Sequence, residues 1–125
     1  MTSAGFKRAR ETNQVTNAMP VISILENTDY VHYIEVDLSE DDWVDQATMG
    51  QLYNEIRSFL AGRFRLTETN DCIFKSRYTG PHGDIIEIIN DSACYWLDVA
   101  VIKCEAHTGN DYESAIREWI SGLPH

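Results

Sequence analysis

Two strand-like runs, Asp71–Thr79 and Asp84–Asn90, flank the sequence Gly80-Pro81-His82-Gly83. Glycine and proline so arranged make a tight turn. A connection that short is too brief for a crossover, so the two runs are expected to pair antiparallel. The same logic runs through the chain. Val21–Glu26 and Tyr30–Leu38 are joined by the polar turn Asn27-Thr28-Asp29, and Cys94–Cys104 follows the returning strand after a turn at Ser92. Within Asp84–Asn90, Ile85-Ile86 and Ile88-Ile89 put apolar side chains on both faces, as expected of an interior strand. In the second strand Tyr30, His32, Ile34, Val36 and Leu38 share one face, and Val31, Tyr33, Glu35 and Asp37 share the other. One mostly apolar face and one mixed face suit a sheet covered on one side.

Helical signals fall between these strands. Ser39 is a candidate N-cap with Asp42 three residues on, and Leu38 and Trp43 occupy the two hydrophobic-staple positions, so a helix is expected from Glu40. Gly50 weakens it, and Thr48 with Gln51 offers a second cap-like signal. The expectation is one helix flawed near Gly50, or a short helix followed by a longer one. Met49, Leu52, Tyr53, Ile56, Phe59 and Leu60 keep helical spacing up to Gly62, a natural terminator. At the C-terminal end Asn110 and Glu113 form a capping box, followed by the stripe Tyr112, Ala115, Ile116, Trp119 and Ile120 and ended by Gly122 and Pro124. The expected fold is α+β: a mainly antiparallel five-stranded sheet in the order ββ-α-βββ-α, with both helices on one face. Residues 1–19 read as a disordered basic and polar tail, and residues 20–125 as a single acidic domain. A chain of 125 residues with 43% hydrophobic content can bury a core of that size.

Charge is distributed unevenly. The net charge is −10, and residues 11–56 contain ten Asp or Glu and no Lys or Arg. A surface of this sign is ill-suited to direct contact with nucleic acid, because phosphates repel it. No run approaches the ~20 apolar residues that a bilayer crossing needs. Lys7, Arg8 and Arg10 are not followed by an apolar segment, so no signal peptide is expected. The odd set Cys72, Cys94 and Cys104 argues against a closed disulfide framework, and free thiols in the cytoplasm are expected.

Asp37, Glu40, Asp41, Asp42 and Asp45 fall within nine residues. The plainer account is that acids at a helix N-terminus interact favourably with its dipole. That account leaves Glu26, Asp29 and Glu35 unexplained, as well as the long absence of basic residues. The acids lack the alternating ligands, glycine and closing glutamate of a calcium loop. Cys104 and His107 have C-x-x-H spacing, but no C-x-x-C accompanies them; buried thiols are the commoner reading, and no metal is expected. No nucleophile motif or phosphate-binding glycine pattern occurs, and none of His32, His82, His107 and His125 has a partner motif. His32 reads as a hydrogen-bonded structural histidine. The basic residues Arg57, Arg63, Arg65, Lys75 and Arg77 read as counterweights to the acids.

Asp98 stands out in mid-strand, sharing a face with Trp96, Ala100 and Ile102. On a covered face it would need a partner or a raised pKa. On the open face, which is expected, the Trp96–Asp98 pair suits an interface. The resulting expectation is a small binding module or inhibitor without catalytic residues or cofactor. Glu35, Asp37, Glu40, Asp41, Asp42, Asp45, Trp96 and Asp98 would contact a basic protein, itself suited to nucleic acid, whose groove accepts carboxylates in place of phosphates. In size and acidity the chain resembles bacterial immunity proteins, phage-encoded inhibitors of host defence and acidic secretion chaperones. The alternatives are a small enzyme or ligand-binding domain with a pocket between sheet and helices, and an accessory subunit that dimerises through its open sheet face.

Overall fold

The computed structural model describes residues 20–27, 31–102 and 109–124. Among these the elements are β1 (Val21–Asn27), β2 (Val31–Asp37), α1 (Gln46–Phe64), β3 (Thr67–Asp71), β4 (Lys75–Thr79), β5 (Ile85–Asp91), β6 (Trp96–Ile102) and α2 (Gly109–Ser121). The strands form one sheet in the order β1-β2-β6-β5-β4-β3, antiparallel throughout. The molecule is α+β, as expected, but the sheet has six strands and the chain runs ββ-α-ββββ-α. The additional strand is β3, whose sequence Thr-Glu-Thr-Asn-Asp is exposed at every position. It contains no apolar residue, so hydrophobic alternation cannot reveal it. The run expected over Asp71–Thr79 is in fact the end of β3, a loop, and β4.

The last strand in sequence, β6, is an interior strand. It joins the β1–β2 hairpin to the β3–β4–β5 meander, and its Leu97, Val99 and Val101 point into the core. Register places them beside Ile34 and Val36 of β2 and Ile86 and Ile88 of β5, all buried. Against this face lie Met49, Leu52, Tyr53, Ile56, Leu60 and Phe64 of α1, with Tyr112, Ala115, Ile116, Trp119 and Ile120 of α2. Both helices therefore cover one face, and the Phe64 and Tyr112 rings stack at 4.0 Å between their centroids where the helices meet. Buried Asp84 accepts a hydrogen bond from Tyr112 Oη at 2.7 Å, tying α2 to the start of β5. His32 is buried on this side with Nδ1 3.1 Å from Asn27 Oδ1, a structural placement.

Three local expectations are corrected. The helix starts at Gln46 rather than Glu40, with Asp45 as its N-cap: Asp45 Oδ1 accepts from Thr48 N at 2.8 Å. The Ser39–Val44 stretch makes two successive turns instead, closed by Asp41 N to Leu38 O and Val44 N to Asp41 O. Helix α1 also runs through Gly50 without a break and past Gly62, ending at Arg65 in the left-handed region (φ 58°). Finally, Cys94 lies outside the strand, in the β5–β6 turn, and is exposed rather than buried; Cys72 is exposed too. The readings placed on residues 1–19, the turn at 28–30, Cys104, His107 and His125 lie outside the described residues.

Candidate acidic binding face

The sheet face turned away from the helices is built by the alternate residues of each strand. From β2 come Tyr33, Glu35 and Asp37, and from β6 come Trp96, Asp98 and Ala100. Register sets Glu35 directly opposite Asp98 and Asp37 opposite Trp96. On the other side of β6, Ile89 faces Asp98 and Asp91 faces Trp96. Paired residues on adjacent strands are about 5 Å apart, so Glu35, Asp37, Asp91 and Asp98 surround one small area.

The turns that follow extend this acidic end. Leu38 N donates to Tyr95 O at 2.9 Å and Gln46 Nε2 donates to Ser92 O at 2.9 Å, so the 38–46 segment lies against the β5–β6 turn. Glu40, Asp42 and Asp45 are therefore gathered at the same end of the sheet as Asp37 and Asp91, and all three are exposed.

The eight residues expected from sequence are thus brought to one region, but not in one role. Glu35, Asp37, Asp41 and Asp98 are buried. Asp37 Oδ1 accepts from Ser39 N at 2.9 Å and from Ser39 Oγ, so it shapes the turn. Asp45 caps α1, and its hydrogen bonds from Thr48 hold its carboxyl below the usual range. Glu40 and Asp42 are exposed in the turns before α1, and the face draws on β2, β6 and these turns instead of on the body of α1.

Asp98 is on the face turned away from the helices, as expected, yet is only 7% exposed. Tyr33 Oη donates to Asp98 Oδ2 at 3.0 Å. Burial pushes the Asp98 pKa up to about 6; the Tyr33 bond opposes this, and Asp91 adds to it. Burial and then Asp98 raise the Tyr33 phenol in turn. The Cys94 thiol is also raised, by desolvation first and then by Asp91, Glu35 and Asp98. A thiol held in its protonated form is a poor nucleophile. Sequence reasoning missed Tyr33 and Asp91. Tyr33 shares a face with Glu35 on inspection, but only the β2–β6–β5 register brings either residue to Asp98.

The cations Lys75 and Arg77 stand to one side of the same face, on β4, with Lys75 two strands from Asp98. Arg77 Nε donates to Glu87 Oε2 at 3.0 Å, and Lys75 Nζ lies 3.5 Å from Glu87 Oε1, an arrangement that lowers the Glu87 pKa. Elsewhere Arg57 pairs with Asp71 at 2.8 Å and Glu68 at 3.3 Å, and Arg63 pairs with Glu118. These pairs agree with the reading of the basic residues as counterweights.

A groove of about 610 Å3 lies on the other side of the molecule, between α1 and the β3–β4 loop. Gly50, Tyr53, Asn54, Arg57, Cys72 and Ile73 line it. Tyr53 Oη donates to Cys72 O at 2.9 Å and is bonded to Ser76, while Arg57 Nε donates to Tyr78 Oη at 2.7 Å. Its polar groups are largely engaged with one another. The space between sheet and helices, where the alternative reading puts a pocket, is filled mainly by apolar side chains with buried His32, Ser76 and Asp84 among them, and Asp98 and Cys94 are not part of it. Among the described residues no group of three or more His, Cys, Asp or Glu converges as metal ligands, and no helix is long and apolar enough to cross a membrane. Comparison with protein-family models, curated proteins and solved structures finds no match to this chain.

Proposed function

We propose that this protein is a binding module that presents the β2–β6 end of its sheet to a basic protein partner. Its nearest functional analogues would be inhibitors that occupy a cationic, nucleic-acid-binding groove. The observation that supports this reading is the separation of charge on the face turned away from the helices. Glu35, Asp37, Asp91 and Asp98 gather on β2, β6 and the end of β5 with Glu40, Asp42 and Asp45 beside them, whereas Lys75 and Arg77 stand to one side on β4, where both pair with Glu87. Clustered charge of one sign steers a complementary partner and rejects partners of like sign. Free Cys72 and Cys94 suit a reducing compartment, which is the setting we attach to the reading.

The test begins with the partner that co-purifies with the native protein. Its association rate with the full chain is measured by stopped flow at 50 and 300 mM salt. Steering predicts a fall of about tenfold or more between these conditions, and a several-fold fall for the Glu40→Lys, Asp42→Lys double variant at low salt. Equal rates at both salt concentrations would refute the acidic-face reading. Self-association through the same face, seen by sedimentation in place of a heterologous complex, would favour the dimeric accessory subunit.

A further inference from the structure

Buried carboxylates normally have their lone pairs satisfied, and a buried orphan calls for an explanation. Asp98 is such a case. Its Oδ2 accepts from Tyr33, but its Oδ1 is buried with no hydrogen-bond partner. Two residues along the same face, the Trp96 indole Nε1 is also buried and has no acceptor. The groups around Asp98 are Tyr33 and Glu35 from β2, Ile89 and Asp91 from β5, Cys94 from the turn, and Trp96 from its own strand. All the ionisable ones among these are neutral or negative. Among the described residues the cations that share this face, Lys75 and Arg77, are bound to Glu87, and Lys75 lies beyond Ile89, roughly 10 Å away at ordinary strand spacing.

We propose that Asp98 is the anchor for one arginine side chain of the basic partner, held on the sheet face between the rings of Tyr33 and Trp96. This deepens the acidic-face reading and rests on it. A guanidinium N–H supplies the donor that Oδ1 lacks, in a site where charge-assisted hydrogen bonds are strongest. Among the described residues the nearby carboxylates do not converge as metal ligands, which favours an organic cation over a metal ion. Arginine suits the site better than lysine for two reasons. Its planar group stacks on aromatic rings, and it sheds water more readily than an ammonium does. A ligand reaches the buried oxygen by turning a neighbouring side chain aside. Trp96 is a large, partly buried neighbour whose ring nitrogen no hydrogen bond ties down.

The experiment titrates the full chain with tetra-arginine and with tetra-lysine, two peptides of equal charge, against a sodium chloride control of matched ionic strength. Affinity is read by calorimetry, and the indole N–H resonances by NMR, with Trp96 assigned through Trp96→Phe. Tetra-arginine is expected to bind about tenfold more tightly than tetra-lysine and to shift the Trp96 indole resonance saturably. In Asp98→Asn, checked for its fold by circular dichroism, the preference is expected to vanish. Bound tetra-arginine should also lower the Asp98 pKa, read from its carboxyl carbon, because a cation favours the ionised form. Equal affinity for the two peptides, or a preference that survives in Asp98→Asn, overturns the arginine anchor while leaving the acidic face standing. If neither peptide binds beyond the salt control, both proposals fail.

Discussion

Asp98 shows how a strand residue on the face away from a core can still be desolvated. Its short side chain lies among Tyr33, Glu35, Ile89 and Trp96, so the carboxyl is screened from water by the neighbours that register supplies. The alternation of Trp96, Asp98 and Ala100 indicated its face from sequence alone. Its burial was not legible, because that depends on which residues of β2 and β5 stand beside it, and pairing register is a tertiary property. The raised pKa has a consequence for stability. Asp98 binds its proton more tightly in the folded chain, so its contribution is most favourable below the ordinary value of 3.8 and is lost as pH rises through about 6. Allowing for solvent screening, the loss is about 1–2 kcal/mol. In denaturant unfolding at several pH values, Asp98→Asn should therefore gain stability relative to the native sequence between about pH 4 and pH 7 and run parallel to it outside that window. A difference that stays constant across the window would show that Asp98 titrates at its ordinary pKa.

Helix α1 and strand β3 account for most of the difference between expected and observed architecture. Two cap signals compete at the start of α1. Ser39 with Asp42 and the Leu38/Trp43 staple pointed to Glu40, but Asp37 takes the Ser39 N–H and hydroxyl and turns the chain before a helix can form. Asp45 then caps through Thr48, whose backbone N–H and hydroxyl both donate to its carboxylate. Asp45→Ala should lower the denaturation midpoint and reduce helix content, and Ser39→Ala should leave helix content unchanged by circular dichroism. Gly50 was read as a flaw, yet α1 is continuous there, and a Cβ at this position would meet nothing within 4 Å. Gly50→Ala should then stabilise the fold by about 0.5–1 kcal/mol, a gain visible in the denaturation midpoint. The C-terminal helix was legible through its stripe of Tyr112, Ala115, Ile116, Trp119 and Ile120, amphipathic at helical period with every member buried, but it begins at Gly109, ahead of the Asn110 expected as its cap. β3 offers no such signal: it is an exposed edge strand held by backbone pairing to β4, with a bulge between Glu68 and Asn70.

The net charge of −10 acts on folding and on binding with opposite signs, and one salt series can separate the two. Ion pairs such as Arg57 with Asp71 and Glu68, or Arg77 with Glu87, favour the folded chain and weaken as salt rises. Mutual repulsion among the excess carboxylates disfavours it and also weakens. The second effect should dominate. Acids outnumber basic residues twenty to ten, and Glu40, Asp42 and Asp45 crowd one end of the sheet where no lysine or arginine occurs in the sequence from residue 11 to 56. Exposed pairs contribute little individually, whereas the repulsion sums over every unbalanced charge. The melting temperature is accordingly expected to rise by a few degrees between 20 and 300 mM sodium chloride, while association with a basic partner slows over the same range. Differential scanning fluorimetry and stopped flow on the same samples measure both. A melting temperature that falls with salt would mean that the pairs around Arg57 and Glu87 dominate the charge balance, and that the acidic end is already compensated within the chain. In that case a cationic partner would find little unbalanced charge to recognise.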